Sequence, residues 1–188
     1  HPVMVFAPTV LQDTAKRFLK GFPGLVTYAV KSNPDETVIE NLIAAGVTGF
    51  DVASPAEIDL IGRLSQGAAR HYHNPVRARW EIAHAVKAGI KAWSVDSHSE
   101  LDKLIEMVPP EGCEISPRFK LPVAGAIYDF GSKFGASPEV AAELLKRVAD
   151  AGFIPSLTFH PGTQCTDPGA WEQYIRTARD ICDEAGVH

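Results

Sequence analysis

Polar residues punctuate this chain at a nearly constant step. Lys31, Asp51, His73, Asp96 and Arg118 each close a short apolar run, and successive ones lie 20, 22, 23 and 22 residues apart. One strand, one helix and the two loops between them add up to roughly 22 residues. The apolar runs, at residues 25–30, 49–52, 71–72 with their flanks, 92–95, 115–119 and 156–159, suit buried parallel strands. A sixth polar residue, His160, comes 42 positions after Arg118, and the excess holds a loop over residues 121–131 that is too long for a plain connector.

The segments between the runs carry helix punctuation. Asn33-Pro34, Ser54-Pro55, Asn74-Pro75, Ser137-Pro138 and Asp167-Pro168 each set a capping residue before a proline, the pattern of a helix start. Ala45-Gly46, Ala88-Gly89, Ala151-Gly152 and Ala185-Gly186 read as helix ends, each followed by an apolar residue. Val38, Ile39, Leu42 and Ile43 form one helical stripe, Val140, Leu144, Leu145 and Val148 a second, and Trp171, Tyr174, Ile175, Ala178 and Ile181 a third.

Strand and helix thus alternate six times, which predicts an α/β fold with a parallel sheet, and the even spacing favours a (β/α)8 TIM barrel over an open doubly wound sheet. In such a barrel the strand C-termini meet at one mouth, where the enzymes of this fold keep their chemistry. Eight strands close the barrel and six are counted, so the expectation is a barrel that continues past His188 or is held by other chains. The chain also lacks an initiator Met.

Composition narrows the class. A net charge of −5 argues against a nucleic acid or an anionic membrane as the main partner. With 45% hydrophobic and 22% charged residues, the chain has the means to bury a core. No apolar run reaches the roughly 18 residues of a membrane span, and the first residues do not read as a signal peptide. Cys113, Cys165 and Cys182 are odd in number and show no C-x-x-C spacing, so a reducing, cytoplasmic setting is expected, without a disulfide framework or structural zinc.

A lysine directly after an apolar strand places its amine at the barrel mouth, where desolvation and a nearby cation favour nucleophilic chemistry; the plainer reading is a strand-end Lys31 paired with Asp51. His71-x-His73 puts two imidazoles on one strand face, as in metal-dependent hydrolase barrels, but no second histidine pair follows in hydrolase order.

Taken in order, Tyr28-Ala29-Val30-Lys31-Ser32-Asn33-Pro34, Gly49-Phe50-Asp51-Val52-Ala53-Ser54 with Glu57, Tyr72-His73-Asn74-Pro75-Val76, Ser94-Val95-Asp96-Ser97 with Glu100, Lys133-Phe134-Gly135 and Phe159-His160-Pro161-Gly162-Thr163-Gln164 make a recognisable series. It resembles the barrel domain of the type III pyridoxal-phosphate (PLP) decarboxylases of ornithine, lysine, diaminopimelate and arginine. Six motifs in family order are a strong signal where one alone is weak. The segment 121–135 and the His-Pro-Gly-Thr-Gln form look most like the bacterial ornithine decarboxylases.

The resemblance implies that Lys31 holds PLP through its amine and that His160 lies against one face of the cofactor ring. It implies that Arg118 stands near the ring oxygen, Thr163 near the phosphate, and Asp51 close to the lysine. Without the resemblance, Arg118 would be read as an ion-pair partner of Asp96 or Asp51, and His160 as a strand-end histidine. Glu57 also matches a family carboxylate, but Ser54-Pro55-Ala56-Glu57 reads as a capping box, and so does Ser97-His98-Ser99-Glu100. Thr163 and Pro161 depart from the commoner family residues.

The family likeness further implies a lead-in strand and helix over residues 1–24, a partial barrel of βα units over 25–188, and a remaining barrel and β-domain beyond. It implies an L-ornithine to putrescine activity, or one on lysine or diaminopimelate, in a homodimer with shared active sites. A non-catalytic PLP-binding or partner-binding relative, or an inactive fragment, stands as the alternative of another class.

Overall fold

The computed structural model describes residues 3, 5–121, 134–162 and 167–187, and the chain divides after Tyr72 into two compact units. The first unit runs α1 (Pro8–Gly21), β1 (Thr27–Ala29), α2 (Glu36–Ala44), β2 (Gly49–Val52), α3 (Pro55–Leu64) and β3 (Ala69–Tyr72). The second runs α4 (Arg79–Lys87), β4 (Ala92–Val95), α5 (His98–Met107), β5 (Glu114–Pro117), α6 (Pro138–Asp150), β6 (Ile154–Pro155) and α7 (Pro168–Ala185). In each unit the three strands lie side by side in chain order and pair in parallel. A helix between consecutive parallel strands is the βα repeat expected from the sequence, and the α/β class stands. Six strands are described, short of the eight that close a barrel of this class.

Each unit has its own core. In the first, Ile39, Phe50, Val52, Ile58, Ile61 and Tyr72 are fully buried, and Asp51 is the one residue of β2 that is not. In the second, every residue of β4 is buried and Trp93, Leu101, Leu104, Ile115, Leu144 and Leu145 fill the space between strands and helices. A strand covered on both faces needs such an unbroken run, and each large apolar side chain so buried stabilises by roughly 1.5–3 kcal/mol.

The helix ends follow the sequence closely. Gly46, Gly89, Gly152 and Gly186 all take positive φ after their helices. Ser54, Ser137 and Asp167 cap α3, α6 and α7 as expected, each side chain accepting a first-turn amide. Two starts differ. Asn33 accepts the amide of Asp35 at 3.1 Å, and Asp35 is the residue that caps α2. Asn74-Pro75 begins no helix; α4 starts at Arg79, with Glu81 Oε2 accepting the Ala78 amide at 2.7 Å. Asn-Pro is as much a turn signal as a helix start, because Pro pushes the residue before it to extended backbone.

The sixth strand also differs in its bounds. β6 is Ile154–Pro155 rather than residues 156–159, though the amides of Ser156 and Thr158 still reach Ile115 O (3.3 Å) and Pro117 O (3.1 Å), and Thr158 bridges Arg118. At the N-terminus the lead-in helix is α1, while Val3, Val5 and Phe6 are exposed and outside any strand; Met4 lies outside the described residues. On α7, Tyr174 and Ile181 are buried, but Trp171 and Ile175 are 48% and 60% exposed, so this stripe is wider than the surface it covers.

Candidate functional site

In the first unit the corner after β1 carries Lys31. The strand gives way to a single 3-10 turn, Val30–Ser32, closed by the Asn33 amide on Val30 O at 3.1 Å. Val30 is fully buried and anchors the turn, whereas Lys31 is exposed. Tyr28 hydroxyl donates to Asn33 O at 3.3 Å, and burial pushes the Tyr28 phenol above its ordinary range, so it stays a donor at neutral pH. Register sets Ala29, Asp51 and His71 opposite one another on three neighbouring strands. Residues in register share a sheet face, so Asp51 lies on the Ala29 side of β1, one strand level before Lys31. One carboxylate oxygen of Asp51 is fully buried. A carboxylate so placed needs cations or N–H donors around it.

The register also gives His71 a place the sequence analysis did not. Among the described residues no cluster of three or more ligating side chains occurs. His71 is instead the in-register neighbour of Asp51.

In the second unit the corner after β5 carries Arg118. Its amide donates to Val95 O at 2.7 Å, its carbonyl accepts the Ala136 amide at 2.8 Å, and it bridges Thr158. The Arg118 backbone is therefore fixed from both neighbouring strands and from the segment that leads into α6. Asp96, considered from sequence as an ion-pair partner of Arg118, accepts the Gly135 amide on Oδ2 at 3.0 Å. Gly135 has φ +120°, and a Cβ there would meet Lys120 Cβ at 3.0 Å and the Phe119 carbonyl carbon at 3.1 Å, so only glycine closes this pinch without strain.

His160 follows β6 and is exposed. Its Nδ1 accepts the Gly162 amide at 3.0 Å. A neutral imidazole that accepts at Nδ1 carries its proton on Nε2, so the backbone selects the tautomer. Behind this corner Phe159 stacks on Tyr174 at 4.8 Å and 14°, and lies 5.5 Å from Phe119 and 5.8 Å from Trp171. Thr163 and Lys133 fall outside the described residues.

The two capping boxes part company. Glu57 accepts the Ala53 amide at 2.9 Å while Ser54 Oγ accepts the Glu57 amide, so its carboxylate serves the start of α3. Ser97 caps α5, but the Glu100 carboxylate reaches the Arg77 amide (3.3 Å) and Lys103 Nζ (2.6 Å). Arg77 is 2% exposed, donates to Ser94 O and lies 5.6 Å over the Trp93 ring. The sequence analysis missed this buried network; a basic residue two positions after Asn-Pro, followed by an i, i+3 Glu100-Lys103 pair, was the available signal. The apolar cavity of about 270 Å³ beneath α1, lined by Leu11, Phe18, Val26 and Leu42 among others, contains neither carboxylate nor cation and is not where this chemistry sits.

Each unit offers chemistry that a pyridoxal cofactor uses: the first an exposed primary amine at Lys31 and a part-buried carboxylate at Asp51, the second a guanidinium on a fixed backbone at Arg118 and an imidazole held by a backbone amide at His160. The comparisons agree. Residues 10–187 match the family described as pyridoxal-dependent decarboxylase, pyridoxal binding domain. The lysine/ornithine decarboxylase of Selenomonas ruminantium is 34% identical over 87% of this chain and 42% of its own length. Ornithine decarboxylase of Mus musculus is 33% identical over 90% of the chain and 37% of its own length. Among solved structures, the arginine decarboxylase of Paramecium bursaria Chlorella virus superposes with a TM-score of 0.84 at 25% identity, over 95% of this chain and 48% of that one. The Vibrio vulnificus lysine/ornithine decarboxylase complexed with putrescine gives 0.79 at 26% identity, over 96% and 48%. The chain is therefore a member of the pyridoxal-dependent decarboxylase family and comprises its pyridoxal-binding domain, with PLP as the family's cofactor. It spans less than half the length of these relatives.

Proposed function

We propose that this chain is the PLP-binding part of a carboxy-lyase that removes the α-carboxylate of a small basic amino acid, L-ornithine before lysine or diaminopimelate, to give putrescine for polyamine synthesis. The observation that carries the reading is the exposed amine of Lys31 directly after buried Val30 at a strand end, inside the family match. Names of relatives and neighbours support the substrate class: they are ornithine, lysine and arginine decarboxylases, and one is complexed with putrescine.

Lys31 binds the cofactor through its amine. Asp51 would accept a hydrogen bond from Lys31 whenever its amine is free and protonated, and so would keep it near its point of attachment. The Arg118 cation favours the anionic form of the cofactor's ring oxygen. His160, with Nδ1 held by Gly162, lays a flat imidazole against the ring and excludes water from that side. Thr163 serves the phosphate. When bound, pyridoxal phosphate supplies the electron sink for the pair left by departing carbon dioxide. Residues 1–24 form the lead-in to the barrel and 25–188 a partial barrel, in a cytoplasmic homodimer whose subunits share their active sites.

The isolated 188-residue chain is expected to be inactive, so the test offers ornithine, lysine, diaminopimelate and arginine at equal concentration to the purified, PLP-supplemented whole protein that carries this chain, with Lys31→Ala as control. Putrescine as the main amine, absent with Lys31→Ala, is expected. Carbon dioxide from none of the four would overturn the reading.

A further inference from the structure

Tyr174 belongs by pattern to the apolar stripe of α7, and any large apolar residue would serve a stripe. Its hydroxyl does more. It accepts the Leu121 amide at 3.0 Å and donates to the Leu121 carbonyl at 3.3 Å, using its donor and one lone pair on a single residue. Tyr174 is 2% exposed and Leu121 9%, so removal of the hydroxyl leaves both Leu121 groups without these bonds, away from water. The ring of Tyr174 stacks on Phe159 at 4.8 Å and lies 5.5 Å from Phe119.

Sequence adjacency gives these contacts their meaning. Phe119 follows Arg118 on bridged backbone, and Phe159 directly precedes His160. The two backbones already touch through the Phe119 amide on Thr158 O at 3.0 Å. One side chain thus holds the chain three residues after Arg118 by hydrogen bonds and the chain one residue before His160 by ring contact.

We infer that Tyr174 is a positioning residue that sets Arg118 and His160 relative to each other; the inference rests on the cofactor roles proposed for those two residues. Tyr174→Phe keeps the rings and removes both hydrogen bonds. Ile181→Ala, buried on the same helix seven residues beyond Tyr174, is the matched destabilised control. Phe159→Leu is the second variant, which breaks the stacked contact and spares the Leu121 hydrogen bonds.

The measurement is the rate at which PLP leaves each protein, followed by the cofactor's visible absorbance after dilution into a PLP scavenger, alongside the thermal midpoint. Tyr174→Phe is expected to release PLP about tenfold faster than wild type, the scale set by the loss of its two buried hydrogen bonds to Leu121. Phe159→Leu should release it several-fold faster, and Ile181→Ala at the wild-type rate despite a lower midpoint. Wild-type release from both Tyr174→Phe and Phe159→Leu would overturn the inference, as would equal acceleration by Ile181→Ala. A wild-type protein that holds no cofactor would overturn the functional reading itself, and this inference with it.

Discussion

In the first unit Lys31 stands exposed after a three-residue strand, on a 3-10 turn anchored by buried Val30 and by the Tyr28 hydroxyl on Asn33 O. In the second unit Arg118 and His160 are backed by Phe119, Phe159 and Tyr174, tied at Leu121, and pinched by the Asp96 to Gly135 hydrogen bond. The contrast suits the roles proposed for each group. An amine that makes and breaks a bond must turn on a flexible stem, whereas a guanidinium and an imidazole that act by orientation gain from a backbone that cannot move. Stability and chemistry should therefore separate cleanly at the first corner and remain linked at the second.

The largest expected effect breaks the first half of that comparison. Lys31→Ala should abolish covalent cofactor attachment while leaving the thermal midpoint of the cofactor-free protein unchanged, because an exposed side chain at a turn contributes little to packing. Mass spectrometry of the reduced adduct and calorimetry of the apo-protein read the two halves separately. At the second corner the halves should move together. Phe119→Ala empties a fully buried aromatic site and should cost about 3–5 kcal/mol in denaturant unfolding, with loss of cofactor retention.

Gly135→Ala should come next, at about 2 kcal/mol, since it forces a side chain into a positive-φ position against the Phe119 backbone. A wild-type denaturation midpoint for this variant would mean that the pinch after Arg118 yields freely. The smallest effect belongs to the exposed pair Arg79–Glu106, which joins α4 to α5. The hydrogen bond from Arg79 holds the Glu106 carboxyl below the usual carboxylate range. A carboxylate depressed in the folded state adds stability above its unfolded pKa and loses it as pH falls toward the folded value. Glu106→Gln should therefore flatten the acid-side stability slope only slightly, and high salt should mask the difference.

Much of this was legible in the sequence, for physical reasons that differ by residue. The bounds of β2 and β4 were readable because Gly or Ala opens each apolar run, and Ser54 and Asp96 stand one or two residues beyond its end. The four Ala-Gly helix ends held because positive φ strongly favours glycine. Asn74-Pro75 misled because the same dipeptide makes turns, and the segment serves to bury Arg77 rather than to start a helix. The network of Arg77 with Glu100 and Lys103 was hidden because a carboxylate three residues into a helix serves the cap or a distant partner with the same local pattern. Lys31, Asp51, Arg118 and His160 stood out as polar residues at strand ends; the structure puts Arg118 directly after β5 and Lys31 on the turn after β1, but Asp51 inside β2 and His160 five residues beyond β6. Tyr174 did not, because a stripe reports the side of the helix a ring faces and says nothing of where its hydroxyl ends.

The most direct test of the central claim is borohydride reduction of the purified protein with PLP, followed by intact mass and peptide mapping. One covalent PLP per chain, on the peptide that contains Lys31 and absent from Lys31→Ala, is the expected result. An adduct on another lysine, or no adduct in a folded protein, would contradict it.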